Sequence, residues 1–340
     1  MKLLVTGGAG YIGSNLADYL LNRGDEVYVV DNLSTGSIQN IQHNLNNPRF
    51  HFINDDIVTS HIMEKVVTQC DIILHLAAAV GVKYIVDDPL KTILTNVRGT
   101  ENVLMLAYRY WKRIVITSTS EVYGKSTGGA LSEDADRILG PTTINRWSYS
   151  VSKAVDEHFA YAYHQKGLPV SIIRYFNSFG PRVNQDGYGS VIANMIRQAL
   201  AGDPLTVHGD GTQTRCFTYV DDTVRGTVLA AEKDEAIGEA INIGSENEIS
   251  ILELAHMIKR LTESESTVVM VPYRDYYGQS YEDTPRRRPN VEKARQLLGF
   301  TADTPLEDGL AKTIAWCREN YNINQPSGAH EPLKSTKNLV

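Results

Sequence analysis

A phenol and an ammonium four residues apart, Tyr149 and Lys153, stand in the run Tyr149-Ser150-Val151-Ser152-Lys153. On a helix that spacing places both side chains on one face, and by itself it says no more than that. Upstream, Thr117-Ser118-Thr119-Ser120-Glu121-Val122-Tyr123-Gly124 sets a hydroxyl-rich segment beside a carboxylate. Near the start, Thr6-Gly7-Gly8-Ala9-Gly10-Tyr11-Ile12-Gly13 has the spacing that lets a dinucleotide approach a helix end. Gly7 permits the tight turn, Gly10 lets a pyrophosphate reach backbone N–H groups at the positive helix terminus, and Gly13 lets helix and strand pack closely. Asp31 follows 24 residues after Gly7. A carboxylate there accepts hydrogen bonds from a ribose 2′-hydroxyl and repels a 2′-phosphate, which favours NAD over NADP. Asp56, in Asn54-Asp55-Asp56-Ile57, reads either as a partner for the adenine amino group or as a helix cap. His75, ahead of the small residues Ala77 and Ala78, reads as structural.

These residues need elements to hold them, and the pattern supplies them. Short β-branched runs alternate with helical patterns from Lys2 to about Gly180, as expected for right-handed βαβ units. The expected strands are Lys2–Thr6, Glu26–Asp31, Phe50–Asn54, Ile72–Leu76, Arg113–Ser118 and Val170–Arg174. Each ends where a chemically equipped loop begins, in keeping with ligand binding beyond the carboxyl ends of parallel strands. The first helix should turn Ile12, Leu16, Tyr19 and Leu20 inward. Beyond Gly180 the expectation is a helix over Tyr188–Ala201, short strands at Leu205–Val207 and Cys216–Val220, and a helix over Ile251–Thr262. The fold class is α/β, a Rossmann doubly wound parallel sheet with a smaller C-terminal α/β substrate domain. Its division is 1–177 for the dinucleotide and 178–321 for the substrate, with some segments returning to the first domain. Residues 322–340 read as a loose tail.

The bulk numbers exclude several classes. A chain of 340 residues with 42% hydrophobic and 21% charged residues is a globular one of two-domain size. The formal net charge of -7 argues against nucleic-acid wrapping and against binding to anionic lipid. Cys70, Cys216 and Cys317 show neither metal-ligand nor disulfide spacing, so no metal and a reducing cytoplasm are expected. The longest apolar run, near Ile72 to Val80, is far short of the roughly 20 residues a membrane helix requires, and no export signal is seen.

Taken together, the glycine loop, the Thr117–Gly124 segment and the Tyr149–Lys153 run resemble the extended short-chain dehydrogenase/reductase family of nucleotide-sugar epimerases, dehydratases and decarboxylases. The resemblance covers about residues 1 to 320. It implies an enzyme that oxidises a sugar hydroxyl, with NAD as cofactor and a UDP-sugar as substrate. Removal of the hydroxyl proton needs a base while hydride leaves, and Tyr149 fills that role, its phenolate favoured by Lys153 and by the positive nicotinamide. Lys153 should also bind the nicotinamide ribose, and Thr119 should hydrogen-bond the reacting hydroxyl. Further cofactor contacts are implied at Tyr11, Ile12, Gly13, Asn32, Ile57, Leu76, Ala77, Ala78 and Asn96. On the substrate side the resemblance implicates Lys83, Asn177, Arg182, Val191, Arg215 and Arg287, the arginines suiting diphosphate oxygens. Of Arg286, Arg287 and Arg288, at least one is expected to be merely solvated. Family members dimerise through two helices, here near Pro89–Tyr110 and Ser150–Gln165, which implies a homodimer.

Ser120-Glu121 bears on the reaction. Dehydratases of glucose nucleotides usually carry Asp-Glu there, and simple galactose epimerases carry small or hydroxyl residues at both places. Ser-Glu resembles UDP-glucuronate decarboxylases, although mannose-nucleotide dehydratases share it, and Arg146-Trp147-Ser148-Tyr149 resembles the decarboxylases as well. The resemblance assigns Ser120 and Glu121, with Arg287, to the catalytic set. In that reading oxidation at the 4-position makes the uronate a β-keto acid, which loses carbon dioxide. Asn184-Gln185-Asp186-Gly187-Tyr188-Gly189 resembles 4-epimerases instead, so UDP-sugar 4-epimerisation stands as the alternative. A 4,6-dehydratase follows it, then an NAD-sensing regulator without turnover.

Overall fold

The computed structural model describes residues 1–59, 62–81, 88–126, 129–183, 190–273 and 284–321. At its centre lies a seven-stranded parallel sheet. The strands are β1 (Lys2–Thr6), β2 (Glu26–Val30), β3 (Phe50–Ile53), β4 (Ile72–His75), β5 (Arg113–Thr119), β6 (Val170–Tyr175) and β11 (Ala240–Ile243). Their order is β11-β6-β5-β4-β1-β2-β3. Chain order reverses between β1 and β4, and this crevice is where doubly wound sheets bind ligands.

Parallel strands are covered on both faces, and β1 shows how. Leu3 and Val5 enter a core with Leu16 and Leu20 of helix α1 (Tyr11–Asn22) and with Val224 and Val228 of Val220–Glu232. Leu4, pointing the other way, enters a second core with Val66 of α2 (Met63–Gln69), Val103 of α3 (Pro89–Arg109) and Ala160 of α4 (Arg146–Gln165). Each such fully buried aliphatic side chain contributes about 1.5–3 kcal/mol. Asp88 accepts a hydrogen bond from Lys91 N at 2.9 Å, with Pro89 at the first turn, and so begins α3. Tyr19 departs from expectation: it is 41% exposed, and Ala17 and Leu21 are buried in its stead. The sheet-facing stripe centres between Leu16 and Leu20, which leaves residue 19 to the side.

The later part of the chain supplies α5 (Val191–Ala201), β8 (Leu205–His208), β9 (Thr214–Cys216), α6 (Val220–Glu232), β12 (Glu248–Ser250), α7 (Ile251–Thr262), β13 (Val268–Val271), β14 (Arg286–Arg287) and α8 (Leu306–Asn320). The expected strand Cys216–Val220 is broken. Cys216 ends β9, Thr218–Tyr219 (β10) pairs with Ser178–Phe179 (β7), and Val220 begins α6. Helix α5 begins at Val191 because Ser190 accepts from Ala193 N at 3.3 Å. Helix α7 begins with a capping box, Ser250 and Glu253 each accepting from the other's backbone N–H. Helix α6 packs in the core with Leu3 and Val5 of β1, and β11 extends the central sheet beside β6. One apolar core runs from Leu3 through Phe179 and Met195 to Leu254 and Ile314. The expected tail, 322–340, lies outside the described residues.

Candidate active site

Backbone geometry builds the dinucleotide loop. Gly7 has φ +71°, and a Cβ on it would lie 2.8 Å from the backbone of Ala77. A Cβ on Gly13 would lie 2.2 Å from Gly7 O, which excludes any side chain there. Helix α1 starts from Gly10 with no side-chain cap, which leaves its first N–H groups turned to an incoming anion. Tyr11 and Ile12 open its first turn. Asp31, just past β2, accepts from Ala9 N at 2.9 Å and from Leu33 N at 2.8 Å. Burial pushes its pKa up, and the two backbone donors work against that rise. Asn32 donates to Asp56 at 2.7 Å, and Asp56 also accepts from Val58 N, so this carboxylate shapes its own turn. Ile57 is buried against Gly99, where a Cβ would come within 2.5 Å of it.

The chain after β4 is tied to the same loop. Leu76 N donates to Thr6 O and Ala77 N to Thr6 Oγ1, at 3.1 and 3.2 Å, and Ala78 follows. Asn96, buried on α3, accepts from Ala79 N at 2.7 Å and donates to Ser152 Oγ at 3.1 Å. It thereby joins this loop to α4. His75 is enclosed between Thr6 and Thr100 hydroxyls at 2.7 and 3.0 Å. Burial, then the charge of Lys153, lowers its pKa to about 3, so it is a neutral structural histidine.

Helix α4 carries Tyr149 and Lys153 to the carboxyl end of β5. Tyr149 hydrogen-bonds Thr119, and burial followed by the charges of Glu121 and Asp156 raises its phenol above the ordinary value. The chain's own charges thus oppose the phenolate that sequence reasoning expected. Lys153 does not offset them: its ammonium donates to Asp156 at 2.7 Å, and both side chains are buried. Ser120 is buried in the turn Ser120–Tyr123. Ser150 Oγ donates to Glu121 O at 2.7 Å and fixes that turn to α4.

Glu121 draws guanidinium groups from three distant places. Arg287 Nη1 donates to its Oε1 at 2.5 Å, and Arg146 lies 3.7 Å from its Oε2. Burial would raise the Glu121 pKa, but Arg287, Arg146 and Arg215 outweigh it and hold the carboxyl at about 2. Strand β9 lies between β12 and β14 and pairs Arg215 directly with Arg287. Both arginines are buried. Arg286, on the other side of β14, is exposed and forms a bidentate pair with Glu248 at 2.7 and 2.8 Å.

Other implied substrate residues sit apart. Asn177, at φ +38°, donates to Cys216 O at 2.8 Å and turns the chain between β6 and β7. Arg182 pairs with Asp18 of α1 through Nη2, while its buried Nη1 has no hydrogen-bond partner among the described residues. Val191 opens α5. Lys83 and the segment 184–189 lie outside the described residues. Sequence reasoning missed roles for Arg146 and Asp156. Each is three residues from a catalytic candidate, Arg146 ahead of Tyr149 and Asp156 beyond Lys153, a spacing that only places each on the same helix face as that candidate. It also missed Glu157, which accepts from Ser118 at 2.5 Å and from Arg174 at 2.9 and 2.7 Å, tying β5, α4 and β6 together.

A family model described as GDP-mannose 4,6 dehydratase matches residues 4–313. The chain is 44% identical over 321 residues to a UDP-N-acetyl-alpha-D-glucosaminuronate decarboxylase of Bacillus cytotoxicus, across 94% of this chain and 99% of that protein. It is 40% identical over 316 residues to UDP-glucuronic acid decarboxylase 1 of Danio rerio, across 93% of this chain and 72% of that one. Among solved structures, a UDP-glucuronic acid 4-epimerase from Bacillus cereus in complex with UDP-glucuronic acid and NAD matches with a TM-score of 0.84. Its identity is 34%, and the match covers 94% of this chain and all (100%) of that one.

Proposed function

The chain belongs to the GDP-mannose 4,6-dehydratase family of extended short-chain dehydrogenases/reductases, and from that premise we propose that it is an NAD-dependent decarboxylase of a UDP-hexuronate, UDP-glucuronate in the first instance. The observation that carries this reading is the Glu121–Arg287 pair standing beside the Tyr149 phenol. Similarity to named decarboxylases over nearly the whole chain supports it. The uncapped α1 terminus, the glycine contacts and Asp31 fit a dinucleotide. Bound NAD supplies the hydride acceptor.

Thr119 holds the 4-hydroxyl of the sugar and Tyr149 removes its proton as hydride leaves. The ketone so formed lies β to the uronate carboxylate. The C–C bond to that carboxylate breaks, carbon dioxide departs, and the bonding pair enters an enolate whose charge Arg287 stabilises. Glu121 aims the Arg287 guanidinium. A 4,6-dehydration needs an acid for the departing 6-hydroxyl. Ser120 is not such an acid, and the arginines around Glu121 hold its carboxyl low, which favours decarboxylation over dehydration.

The test is incubation of pure protein with UDP-glucuronate, its 2-acetamido analogue and UDP-glucose, with and without NAD, products being read by mass and NMR. Loss of carbon dioxide from a uronate is expected. UDP-galacturonate formed with no mass change would replace this reading with 4-epimerisation, the reaction named for the Bacillus cereus neighbour. The 2-acetamido substrate is included because the relative at 44% identity is named for it. We also propose a homodimer through α3 and α4, which leave Leu90, Ile93, Met105 and Val151 exposed. Light scattering should give twice the chain mass, and a monomer mass at micromolar concentration would refute it. Among the described residues no helix is long and apolar enough to cross a membrane. The three cysteines are free and buried, and on that ground we place the enzyme in a reducing cytoplasm.

A further inference from the structure

A buried polar chain runs beneath the site and ends on Lys153. Lys153 Nζ donates to Asp156 Oδ2 at 2.7 Å, with side chains 3% and 0% exposed. The second carboxylate oxygen, Oδ1, is enclosed without a hydrogen-bond partner among the described residues. Thr100 of α3 faces the same carboxylate, and its hydroxyl lies 3.0 Å from His75 Nε2. The other nitrogen of His75 meets Thr6, the residue before Gly7, at 2.7 Å. The chain therefore runs from the dinucleotide loop to the lysine one helical turn beyond Tyr149.

A closed ion pair carries no net charge to its surroundings, so an ammonium held on Asp156 does little for a phenol next to it. Buried pairs of this kind are weak contributors to stability, since apolar residues of similar volume often serve as well. A pair retained next to a base is better explained by what it does to that base. We propose that Asp156 is a positioning residue for the oxidation step: it holds Lys153 in a neutral pair, and Tyr149 gains a cationic neighbour only when the lysine is drawn off Asp156 toward the bound dinucleotide. This rests on the reading of Tyr149 as the base.

The groups that bear on the pair are few. Glu157 lies on the same helix, Thr100 on α3, and the neutral His75 on β4. Tyr149 is faced by Thr119, Glu121 and Asp156, and Arg287, Arg146 and Arg215 stand behind Glu121. Of all these charges, Asp156→Asn removes one, and that one raises the Tyr149 pKa. Its loss must shift the phenol toward lower pH.

The experiment uses NAD-loaded protein with 13C-labelled tyrosine, the Tyr149 resonance being assigned by its disappearance in Tyr149→Phe. In Asp156→Asn that resonance should titrate about one pH unit below wild type, and the acid limb of kcat should move the same way. Asp156→Glu, which keeps the charge, should restore the wild-type titration. Asp156→Ser is a second neutral variant should Asp156→Asn not fold. An unmoved or upward titration in a folded neutral variant overturns the role of Asp156. Near-normal turnover in Tyr149→Phe would instead overturn the reading of the base, so the two failures are separable.

Discussion

Replacing Arg287 by Met tests the electrostatics of the site most directly, because the side chain is 5% exposed and the substitution keeps most of its volume. Glu121 would keep Arg146 and Arg215 but lose its nearest cation. In the native chain its pKa falls from 4.5 to about 2, a drop worth about 3 kcal/mol at 1.36 kcal/mol per unit. Arg287 supplies the largest favourable part, so Arg287→Met should cost about 2–3 kcal/mol in urea unfolding at pH 7. The sign of the pH dependence follows from linkage. A carboxylate whose folded pKa lies below its unfolded value stabilises the fold above about 4.5, and that stability is lost as pH falls toward 2. The unfolding free energies of native and variant protein should therefore be well apart and parallel from pH 5 to 7 and converge below about 4.5. Release of carbon dioxide should fall by at least about a hundredfold, as when a charge-stabilising donor is lost, with NAD affinity little changed. An offset that persists undiminished below pH 4.5, or a variant as stable as native at pH 7, would refute the assignment of Arg287 as the group that holds Glu121 ionised.

Tyr149→Phe should fold and bind NAD while losing at least about a hundredfold in turnover, the usual cost of removing a general base. Single-turnover absorbance of the reduced cofactor checks it, and normal hydride transfer would remove Tyr149 from the mechanism. If Asp31 sets the dinucleotide preference, calorimetric titration should show NAD binding much more tightly than NADP, and equal affinities would contradict this. Gly13→Ala forces a methyl to 2.2 Å from Gly7 O. The loop must shift, and NAD affinity should drop at least tenfold; unchanged affinity would show that Gly13 is not packed as described.

The strands of the central sheet were legible because each is a β-branched run closed by a functional loop. The glycine loop was legible because its spacing reflects backbone contacts no side chain could survive. The guanidinium cluster was legible only in part. Arg215 and Arg287 meet through the register of β9 with β14, a non-local pairing that no local pattern announces. Their shared target, Glu121, could be named from its neighbours in sequence, but its second cation, Arg146, could not. Lys153 and Asp156 are three apart on α4, yet that spacing is ordinary on any solvated helix; only burial turns it into a closed pair. Arg182 was implicated in substrate binding only by resemblance, and its pairing with Asp18 of α1 is a contact between distant parts of the chain that the sequence does not announce. Tyr19 lies beside the buried stripe of α1 rather than in it, and the strand expected at 216–220 is divided because Thr218–Tyr219 pairs with β7 and Val220 begins α6.

Strand β11 has a bearing on how the protein is made. It is one of the two edge strands of the main sheet, paired along Ala240–Ile243 with Ile172–Tyr175, and its Asn242 accepts the Tyr123 hydroxyl at 2.7 Å. On the ribosome, some sixty-five residues must emerge after β6 before its partner exists. Until then β6 presents a row of unpaired backbone groups from an apolar strand, the kind of open border that recruits another chain. A product stopped anywhere between residues 177 and 239 would carry the glycine loop, Tyr149 and Lys153, and would still be an aggregation hazard rather than half an enzyme.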